Sequence, residues 1–210
     1  MHIEDALPQR VPEISAPQSL DPLTNPTIEH VVLVDEAGQA IGTAPKSVVH
    51  DTDTALHLAF SCYVFNTDGD LLVTRRSLGK RAWPGVWTNS FCGHPLPGEE
   101  MTDAIARRGH FELGLTLTDV TVALPDFRYR ATDASGIVEN EICPVYTATA
   151  RVAPTLNPNE AAEFAWTSPA ALRRAVGAAP WAFSPWLALQ LADLSAAALG
   201  GNVFREADRV

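Results

Sequence analysis

The sequence has few cysteines and few lysines, and its basic residues are outnumbered by acidic ones. Its three cysteines are unevenly spread over 210 residues, which is too few for the disulfide framework of a small secreted protein. Fifteen lysines and arginines stand against 25 aspartates and glutamates, for a formal net charge of −10. Because such a surface repels polyphosphate backbones, we expect no nucleic-acid partner, and an anionic ligand would need local cations or a bound metal ion.

Long apolar runs are also absent. The longest uncharged stretch, residues 175–192, is interrupted by Pro180 and Pro185, so we predict no membrane span. Glu4 and Asp5 stand near the N-terminus, where an export signal requires cationic residues followed by an apolar run. Together with the scarcity of cysteine, these features favour a reduced, cytoplasmic compartment.

Composition divides the chain into three parts. Residues 1–27 contain five prolines and show neither helical nor alternating apolar periodicity, so we predict a flexible N-terminal extension. Hydrophobic residues make up 46% and charged residues 19% of the whole chain, which is ordinary for a globular protein. We therefore expect one domain over residues 28–200 and a short C-terminal tail over residues 201–210.

Apolar runs and turn residues predict strands in the first two thirds of the chain. We expect two hairpins, over residues 29–42 and 58–74, because strand-like runs flank the turns Asp-Glu-Ala-Gly and Asn-Thr-Asp-Gly. Two further strands are expected over residues 120–129 and 137–148. This pattern predicts a sheet whose strands are partly joined by short turns.

Three segments have the features of helices. Residues 101–113 combine spaced apolar positions with a closing glycine, Gly114. Two other segments, 168–176 and 184–199, begin with Ser-Pro, which places proline in the first helical turn. The combination predicts an α+β fold in which helices pack on a mixed β-sheet.

Residues 93–114 resemble the Nudix box, a loop, helix and loop that assembles a site for a divalent metal and a diphosphate. Hard cations such as Mg²⁺ prefer carboxylate oxygens and can bridge to phosphate oxygens. The matching residues are Gly93, Glu99, Arg107, Glu112 and Gly114. Arg108 and Phe111, however, stand where a Nudix hydrolase has glutamates. The resemblance therefore implies a Nudix fold, an α/β/α sandwich, that has lost carboxylates needed for hydrolysis.

More specifically, the chain resembles the type 1 isopentenyl-diphosphate:dimethylallyl-diphosphate isomerases. The matching stretches, in family order, are His57–Ser61, Leu72–Arg76, Ala82–Ser90, Cys92–Pro95, Asp126–Ala131, Glu139–Glu141, Cys143–Val145 and Pro180–Trp186. The resemblance implies an isomerase of isoprenoid precursor biosynthesis that interconverts two five-carbon diphosphates. It would do so by protonation and deprotonation through a tertiary carbocation.

The resemblance implies two metal sites. One divalent ion, Mn²⁺, Mg²⁺ or Zn²⁺, would be bound by His50, His57, His94, Glu139 and Glu141. The residue types agree, because glutamates two positions apart share one face of a strand and imidazole with carboxylate suits such ions. For any single histidine, a hydrogen-bonded structural role is the alternative. A second ion, Mg²⁺, would lie between Glu112 and the substrate diphosphate.

Four cationic residues match the family's diphosphate contacts, namely Lys46, Arg76, Lys80 and Arg108. A solvated surface position is the alternative for each of them. The chain contains only two lysines, and both fall at these positions, whereas its other basic residues are all arginine. This distribution indicates a specific requirement for lysine at positions 46 and 80.

Cys92 and Glu141 are implied as the proton-transfer pair, acting on opposite faces of the substrate. A thiol with a pKa of about 8.5 and a carboxyl with a pKa of about 4.3 are poorly matched to protonating an alkene. Their environment must therefore adjust them, and the metal beside Glu141 is an obvious agent for the acidity and orientation of that carboxyl. Trp186 would stabilise the carbocation through its π face, and Tyr129 would hydrogen-bond Glu141. Core packing is the alternative for both aromatic residues. The other two cysteines are expected to be small core residues.

Two other functions stay open at this point. A Nudix hydrolase acting on a nucleotide derivative would share the fold, although Arg108 and Phe111 count against it. A non-catalytic module that binds metal and diphosphate is also possible, although the presence of both Cys92 and Glu141 counts against it. The expected partner is a small allylic or homoallylic diphosphate, and a monomer is favoured.

Overall fold

The computed structural model describes residues 29–194. The predicted extension over residues 1–27 and the predicted tail over residues 201–210 lie outside the described residues. The described part contains the strands β1 (His30–Val34), β2 (Ala40–Pro45), β3 (His57–Leu58), β4 (Phe60–Phe65), β5 (Leu71–Arg76), β6 (Trp87–Thr88), β7 (Phe91–Gly93), β8 (Thr118–Leu124), β9 (Arg128–Thr132), β10 (Val138–Ile142), β11 (Val145–Thr149) and β12 (Ala161–Thr167). Its α-helices are α1 (Lys46–Val49), α2 (Met101–Leu113), α3 (Pro169–Ala178) and α4 (Pro185–Asp193), with a 3-10 turn at Pro180–Ala182.

The strands form two mixed sheets. The first has the order β2-β1-β3-β10-β9, and the second has the order β12-β5-β4-β11-β8, with β6 paired to β5 and β7 paired to β4. Each sheet contains one parallel pair, β3 with β10 and β4 with β11. Since β3 leads into β4 and β10 into β11, the same two chain segments cross together from one sheet to the other. The predicted α+β fold is confirmed.

Both predicted hairpins are present, but two predicted strands are each divided. β1 pairs antiparallel with β2, and β4 pairs antiparallel with β5. The segments 120–129 and 137–148, which we expected to be continuous, are interrupted at residues 125–127 and 143–144. Pro125 and Pro144 lie at these breaks. Because proline has no backbone N–H to give to a ladder, each segment leaves one sheet there and joins the other.

The helices begin where predicted, but two of them end elsewhere. α2 ends at Leu113 with Gly114 in the left-handed conformation, at φ 63°, as expected for a glycine cap. α3 begins after Ser168, whose side chain accepts a hydrogen bond from the Ala171 N–H, and it extends two residues beyond the predicted end. α4 ends at Asp193, because Leu194 adopts an extended conformation, and residues 195–199 of the predicted helix lie outside the described residues.

Buried side chains form two clusters on the two faces of the second sheet. Along β4, Phe60 and Val64 belong to the cluster that includes Ile105 of α2, whereas Tyr63 belongs to the cluster that includes Leu187 of α4. This alternation follows from the two-residue period of a strand. The second sheet therefore lies between α2 on one face and α3 and α4 on the other. Within residues 29–194, no helix has the length and apolar character needed to cross a bilayer.

Candidate active site

One cavity of about 510 Å³ brings together most of the predicted site residues. Eleven of the thirteen line it: Lys46, His50, Arg76, Lys80, Cys92, His94, Arg108, Tyr129, Glu139, Glu141 and Trp186. The other two, His57 and Glu112, lie against residues that line the cavity. His57 approaches Glu141, and Glu112 binds Arg108. The volume lies in the range of small-molecule sites.

Three histidines and a glutamate form a compact cluster on one wall of this cavity. The candidate ligand atoms of His50, His57, His94 and Glu141 all lie within 4.8 Å of one another. Oε1 of Glu141 is 3.2 Å from Nε2 of His94 and 3.4 Å from Nε2 of His57. Three imidazoles and a carboxylate converging on one point are a donor set that suits a divalent transition metal.

The hydrogen bonds around His57 support this fit. Its Nδ1 lies 2.9 Å from the carbonyl oxygen of Ala55 and donates its proton there. The other ring nitrogen, Nε2, is buried and has no hydrogen-bond partner, although it faces the carboxylate of Glu141. In the neutral ring this nitrogen carries a lone pair. A lone pair aimed at a carboxylate is the arrangement that a cation between the two would stabilise.

Glu139 lies next to this cluster and is not one of its four members. Its Oε2 is 2.9 Å from Nε2 of His50, and the group whose ligand atoms mutually converge does not include it. As the spacing of two residues predicts, Glu139 and Glu141 both line the cavity. Glu139 is therefore placed to bind the cation directly or to orient His50.

Burial and the contacts between cluster residues have opposite effects on the pKa values of His94 and Glu141. Burial lowers the pKa of His94 to about 3 and outweighs the effect of Glu141, so this imidazole is neutral and can offer a lone pair. Burial alone would raise the pKa of Glu141, but the neighbouring imidazoles of His57 and His94 outweigh it and hold that pKa well below its usual range. A neutral imidazole and an ionised carboxylate are the forms that bind metals.

The four predicted diphosphate contacts form the cationic side of the cavity, where glutamates already neutralise three of them. Lys46 Nζ lies 2.6 Å from Oε2 of Glu29. Nη1 of Arg108 lies 3.3 Å from Oε1, the other carboxylate oxygen of Glu29. Lys80 forms an ion pair with Glu160, and Nη2 of Arg108 also approaches that carboxylate, at 3.2 Å. Both lysines of the chain therefore lie on this cationic side of the cavity.

Arg108 and Glu112 form a pair on α2. Oε1 of Glu112 accepts hydrogen bonds from Nε of Arg108 at 3.0 Å and from Nη2 at 2.6 Å. The Arg108 guanidinium also lies 4.9 Å from the ring centroid of Phe111, which is exposed. The two residues that replace the hydrolase glutamates therefore stack on each other. Glu112, the predicted Mg²⁺ ligand, is bound by an arginine and is not part of the histidine cluster.

Other residues of the stretch that matches the Nudix box hold its loop against α2. Glu99 accepts two hydrogen bonds of 2.7 Å from Arg107 and one from the backbone N–H of Leu96. Nη2 of Arg107 also donates to the carbonyl oxygen of His94 at 3.1 Å, which fixes the backbone of a cluster residue. A Cβ atom at Gly93 would lie 2.8 Å from Arg108 Cγ. Only glycine therefore allows α2 to approach the strand this closely.

Aromatic residues form the third wall of the cavity. Trp186, the second residue of α4, is buried and donates a hydrogen bond of 3.0 Å from its Nε1 to Oδ1 of Asn89. Tyr129 lies 5.8 Å and Trp83 lies 5.6 Å from Trp186 between ring centroids. The Arg76 guanidinium sits 5.2 Å from the Trp186 ring centroid. This contact joins the cationic and aromatic walls.

Tyr129 and Glu141 are directly opposite each other in the antiparallel pair of β9 and β10. We predicted a hydrogen bond between their side chains. Among the hydrogen bonds of the described residues, none joins them, although both side chains line the cavity. Burial and, after it, the charge of Glu141 hold the pKa of Tyr129 well above its usual value, so the phenol keeps its proton.

Cys92 reaches the cavity from the short strand β7. Its Sγ lies 3.2 Å from Oγ of Ser61, its register partner on β4, and it donates a hydrogen bond of 3.3 Å to Oδ1 of Asn89. Burial raises the pKa of the thiol to about 12 against the lowering effect of these two contacts. The thiol is therefore protonated at neutral pH. The other two cysteines, Cys62 and Cys143, are buried in the core, as predicted.

Comparison with known proteins agrees with this geometry. Residues 55–187 match the NUDIX domain family. The isopentenyl-diphosphate Delta-isomerase of Agromyces mediolanus is 68% identical over 162 residues, which cover 77% of this chain and 79% of that protein. This chain belongs to the same isomerase family. The isopentenyl-diphosphate Delta-isomerase of Citrobacter koseri is 57% identical over 167 residues, which cover 80% of this chain and 92% of that protein.

Solved structures support the Nudix fold of this isomerase-family chain. A Deinococcus radiodurans protein has a TM-score of 0.63 at 20% identity and covers 79% of this chain and 99% of its own. A MutT Nudix hydrolase of Burkholderia pseudomallei has a TM-score of 0.52 at 20% identity, covering 67% of this chain and 98% of its own. At these identities the likeness shows the fold alone.

Sequence reasoning missed several residues of the isomerase-family site. Glu29 and Glu160 pair with the cations, but they are 17 and 80 residues away from the lysines that they bind, so spacing gives no signal. Ser61 and Asn89 were inside the stretches that carry the family resemblance, although no role was assigned to them. Their complete burial, which the sequence does not reveal, is what draws attention to them.

Proposed function

We propose that this chain interconverts isopentenyl diphosphate and dimethylallyl diphosphate in the cavity described above. The observation that carries the proposal is that a single cavity joins four cations to a thiol, a carboxylate and a buried indole. The cations suit a diphosphate, and the remaining wall offers the groups required to move a double bond. Membership of the isopentenyl-diphosphate Delta-isomerase family supports the same assignment.

The substrate diphosphate would bind Lys46, Arg76, Lys80 and Arg108. In doing so it would compete with Glu29 and Glu160 for three of them, because those carboxylates already occupy the cations. Competition of this kind favours a ligand that carries more charge than one carboxylate. If the phosphate oxygens take over Arg108, the carboxylate of Glu112 becomes available to a Mg²⁺ ion that accompanies the diphosphate.

The divalent metal site is assigned to His50, His57, His94 and Glu141, with Glu139 as a fifth ligand or as the partner of His50. A bound cation would lower the basicity of Glu141 and fix the orientation of its carboxylate. Among Mn²⁺, Zn²⁺ and Mg²⁺, the three imidazoles favour a transition metal over Mg²⁺. The three histidines would hold the Glu141 carboxylate at the hydrocarbon end of the substrate.

Cys92 and Glu141 are the proposed proton-transfer pair. Isomerisation adds a proton to one carbon of the double bond and removes a proton from a carbon on the other side of the resulting cation. One group must therefore give a proton while the other accepts one, and the roles exchange in the reverse reaction. Trp186 would face the tertiary cation with its π system, where a carboxylate in contact would be alkylated. Tyr129 would keep its proton and donate toward Glu141 once substrate is bound.

The test is direct. Purified protein with Mg²⁺ should equilibrate the two five-carbon diphosphates, as followed by ³¹P and ¹H NMR, and elemental analysis of the same sample should find a divalent ion. A sample that binds the diphosphates but leaves each one unchanged would favour the non-catalytic module. Release of phosphate or pyrophosphate instead would favour the hydrolase. The buried Arg108 and the exposed Phe111, which stand at glutamate positions, argue for isomerisation.

We also propose that the protein works as a cytoplasmic monomer with no nucleic-acid partner. The support is its charge of −10 and its three unpaired cysteines. Light scattering at working concentration checks the monomer, and loss of activity on dilution would contradict it.

A further inference from the structure

Four buried polar side chains are linked to Cys92, directly or through one another, and have no role in the proposed function. Tyr63, Ser61 and Gln190 are completely buried, and so is Asn89. Polar groups in a core are normally either hydrogen-bonded or costly. Each of these four is hydrogen-bonded, and the bonds form one connected network that includes Sγ of Cys92.

On the first side of Cys92, the network has a defined direction. Oη of Tyr63 donates to Oε1 of Gln190 at 2.9 Å, so the amide nitrogen of Gln190 must face the other way. That nitrogen, Nε2, donates to Oγ of Ser61 at 2.8 Å. The single hydroxyl hydrogen of Ser61 is then free for a sulfur acceptor. Sγ of Cys92 lies 3.2 Å away and Sγ of Cys143 lies 3.5 Å away, so the shorter contact is with Cys92.

On the second side, Asn89 also has a defined direction. Its Nδ2 donates to the carbonyl oxygens of Cys62, at 3.1 Å, and Phe91, at 2.8 Å. Both amide hydrogens are thus used, and Oδ1 faces Cys92, Trp186 and the Thr88 hydroxyl, which donates to it at 2.9 Å. Oδ1 has no hydrogen to give, so the Cys92 thiol must donate at this contact, as must the indole N–H of Trp186.

We infer that Tyr63, Gln190, Ser61 and Asn89 form one positioning network for Cys92. Ser61 donates a hydrogen bond to the sulfur, Asn89 accepts one from it, and Asn89 also holds the indole of Trp186. The inference rests on the proposed function, in which Cys92 gives a proton to the substrate. When that proton leaves, the Ser61 hydroxyl already points at the developing thiolate. Asn89 meanwhile keeps the sulfur and the indole in fixed relation across the cavity.

The test removes the bonds one at a time on the Ser61 side. Ser61→Ala removes the donor to sulfur, and Gln190→Met removes the group that orients that donor at nearly constant side-chain length. Each should lower kcat at least about tenfold and leave KM within about twofold, because the network acts on the thiol and not on the diphosphate. The double variant should be no slower than the slower single variant, since both changes remove the same bond.

Cys143→Ala is the matched control, because it removes only the alternative acceptor of Ser61 and leaves the contact with Cys92 intact. Its kcat should stay within about twofold of the unchanged protein. A second measurement does not depend on isomerase activity. Alkylation of Cys92 by iodoacetamide at a fixed pH, located by peptide mass spectrometry, should be slower in Ser61→Ala and Gln190→Met than in Cys143→Ala.

Three outcomes would overturn the network. They are unchanged kcat in both single variants, losses that multiply in the double variant, and alkylation rates equal to those of the control. If Ser61→Ala does not fold, Gln190→Met tests the same bond from α4. Failure of the unchanged protein to isomerise the diphosphates would instead overturn the proposed function, and the alkylation rates would still decide the network.

Discussion

His57 and Glu141 are register partners in the parallel pair of β3 and β10, and Nε2 of His57 lies 3.4 Å from Oε1 of Glu141. Both residues lie just before their segments cross into the second sheet as β4 and β11. The backbone continues the pairing through this crossing, because the Ala59 N–H donates to the Ile142 carbonyl oxygen at 2.9 Å. The ladder itself therefore fixes the distance between two candidate metal ligands that are 84 positions apart in the chain.

The first prediction concerns this cluster. His94→Ala should lower the content of the tightly bound divalent ion and should reduce isomerase activity at least about tenfold. The reason is that Glu141 is both a metal ligand and half of the proton-transfer pair. Elemental analysis and the isomerisation assay on the same preparation measure the two effects.

His110→Ala is the control for that prediction, because His110 lies exposed on α2 and outside the cluster. It should change neither quantity. Full activity in a metal-free sample of His94→Ala would show that Glu141 works without the ion and would separate the two roles.

The sequence predicted the elements better than the way in which they connect. Hairpins and helix starts follow from local chemistry, such as the Asn-Thr-Asp-Gly turn before β5 and the Ser168 cap of α3. The division of residues 120–129 and 137–148 between two sheets does not follow from local chemistry. Pro125 and Pro144 gave a signal there, but apolar alternation on both sides of each proline hid it.

The sequence predicted those residues of the site that match positions of the resembled family. The resemblance named thirteen site residues, and the structure brings eleven of them to one cavity. It did not predict that Glu112 would be bound by Arg108 or that Glu29 and Glu160 would neutralise the lysines. Those contacts depend on which distant segments meet in the folded chain. The lysine count was a second signal, independent of the resemblance, for positions 46 and 80, and both lysines line the cavity.

The second prediction concerns hydrolysis. The protein should release no phosphate or pyrophosphate from either five-carbon diphosphate at a rate near that of isomerisation, because Arg108 and Phe111 replace metal-binding glutamates. A coupled phosphate assay run beside the isomerisation assay measures both rates. Arg108→Glu with Phe111→Glu should lose isomerase activity without becoming a hydrolase, since Arg108 is also a proposed diphosphate contact. Phosphate release by the unchanged protein at the isomerisation rate would contradict this interpretation.

The third prediction concerns stability in acid. Burial alone would raise the pKa of Glu160, but Lys80 and Arg108 outweigh it and lower that pKa to about 2 from an ordinary 4.5. A carboxyl whose pKa is lower in the folded state stabilises the protein above the unfolded pKa and loses that contribution as the pH falls through the folded pKa. The contribution should therefore be complete above about pH 5 and decline toward pH 2, by roughly 3 kcal/mol in total.

Urea unfolding at pH 6, 4 and 3 measures this contribution. Glu160→Gln should lower the free energy of unfolding most at pH 6, and the difference from the unchanged protein should shrink as the pH falls. Glu163→Gln is the control, because Glu163 pairs with Arg75 at an exposed site and its loss should cost little at any pH. A difference between the Glu160→Gln protein and the unchanged protein that stays constant from pH 6 to pH 3 would show that Glu160 stabilises the fold by packing and not by charge.

The fourth prediction is that Cys92 and Glu141 are separately essential. Cys92→Ala and Glu141→Gln should each abolish net isomerisation, because one group must deliver a proton while the other removes a different one. Cys62→Ala and Cys143→Ala should retain most of the activity, because both residues are buried in the core and neither lines the cavity. NMR of the two diphosphates at equilibrium measures all four variants on the same scale.

Exchange in D₂O distinguishes the two faces of the substrate. With one group left in place, deuterium should still enter at the carbon that this group serves and should vanish at the other carbon, so Cys92→Ala and Glu141→Gln should give complementary labelling patterns. Isomerisation by either residue alone would require a single group to reach both faces of a planar allyl fragment, which a buried side chain held by hydrogen bonds cannot do. Complete isomerisation by Cys92→Ala, with label in the same position as in the unchanged protein, would leave Glu141 as a lone shuttle on one face.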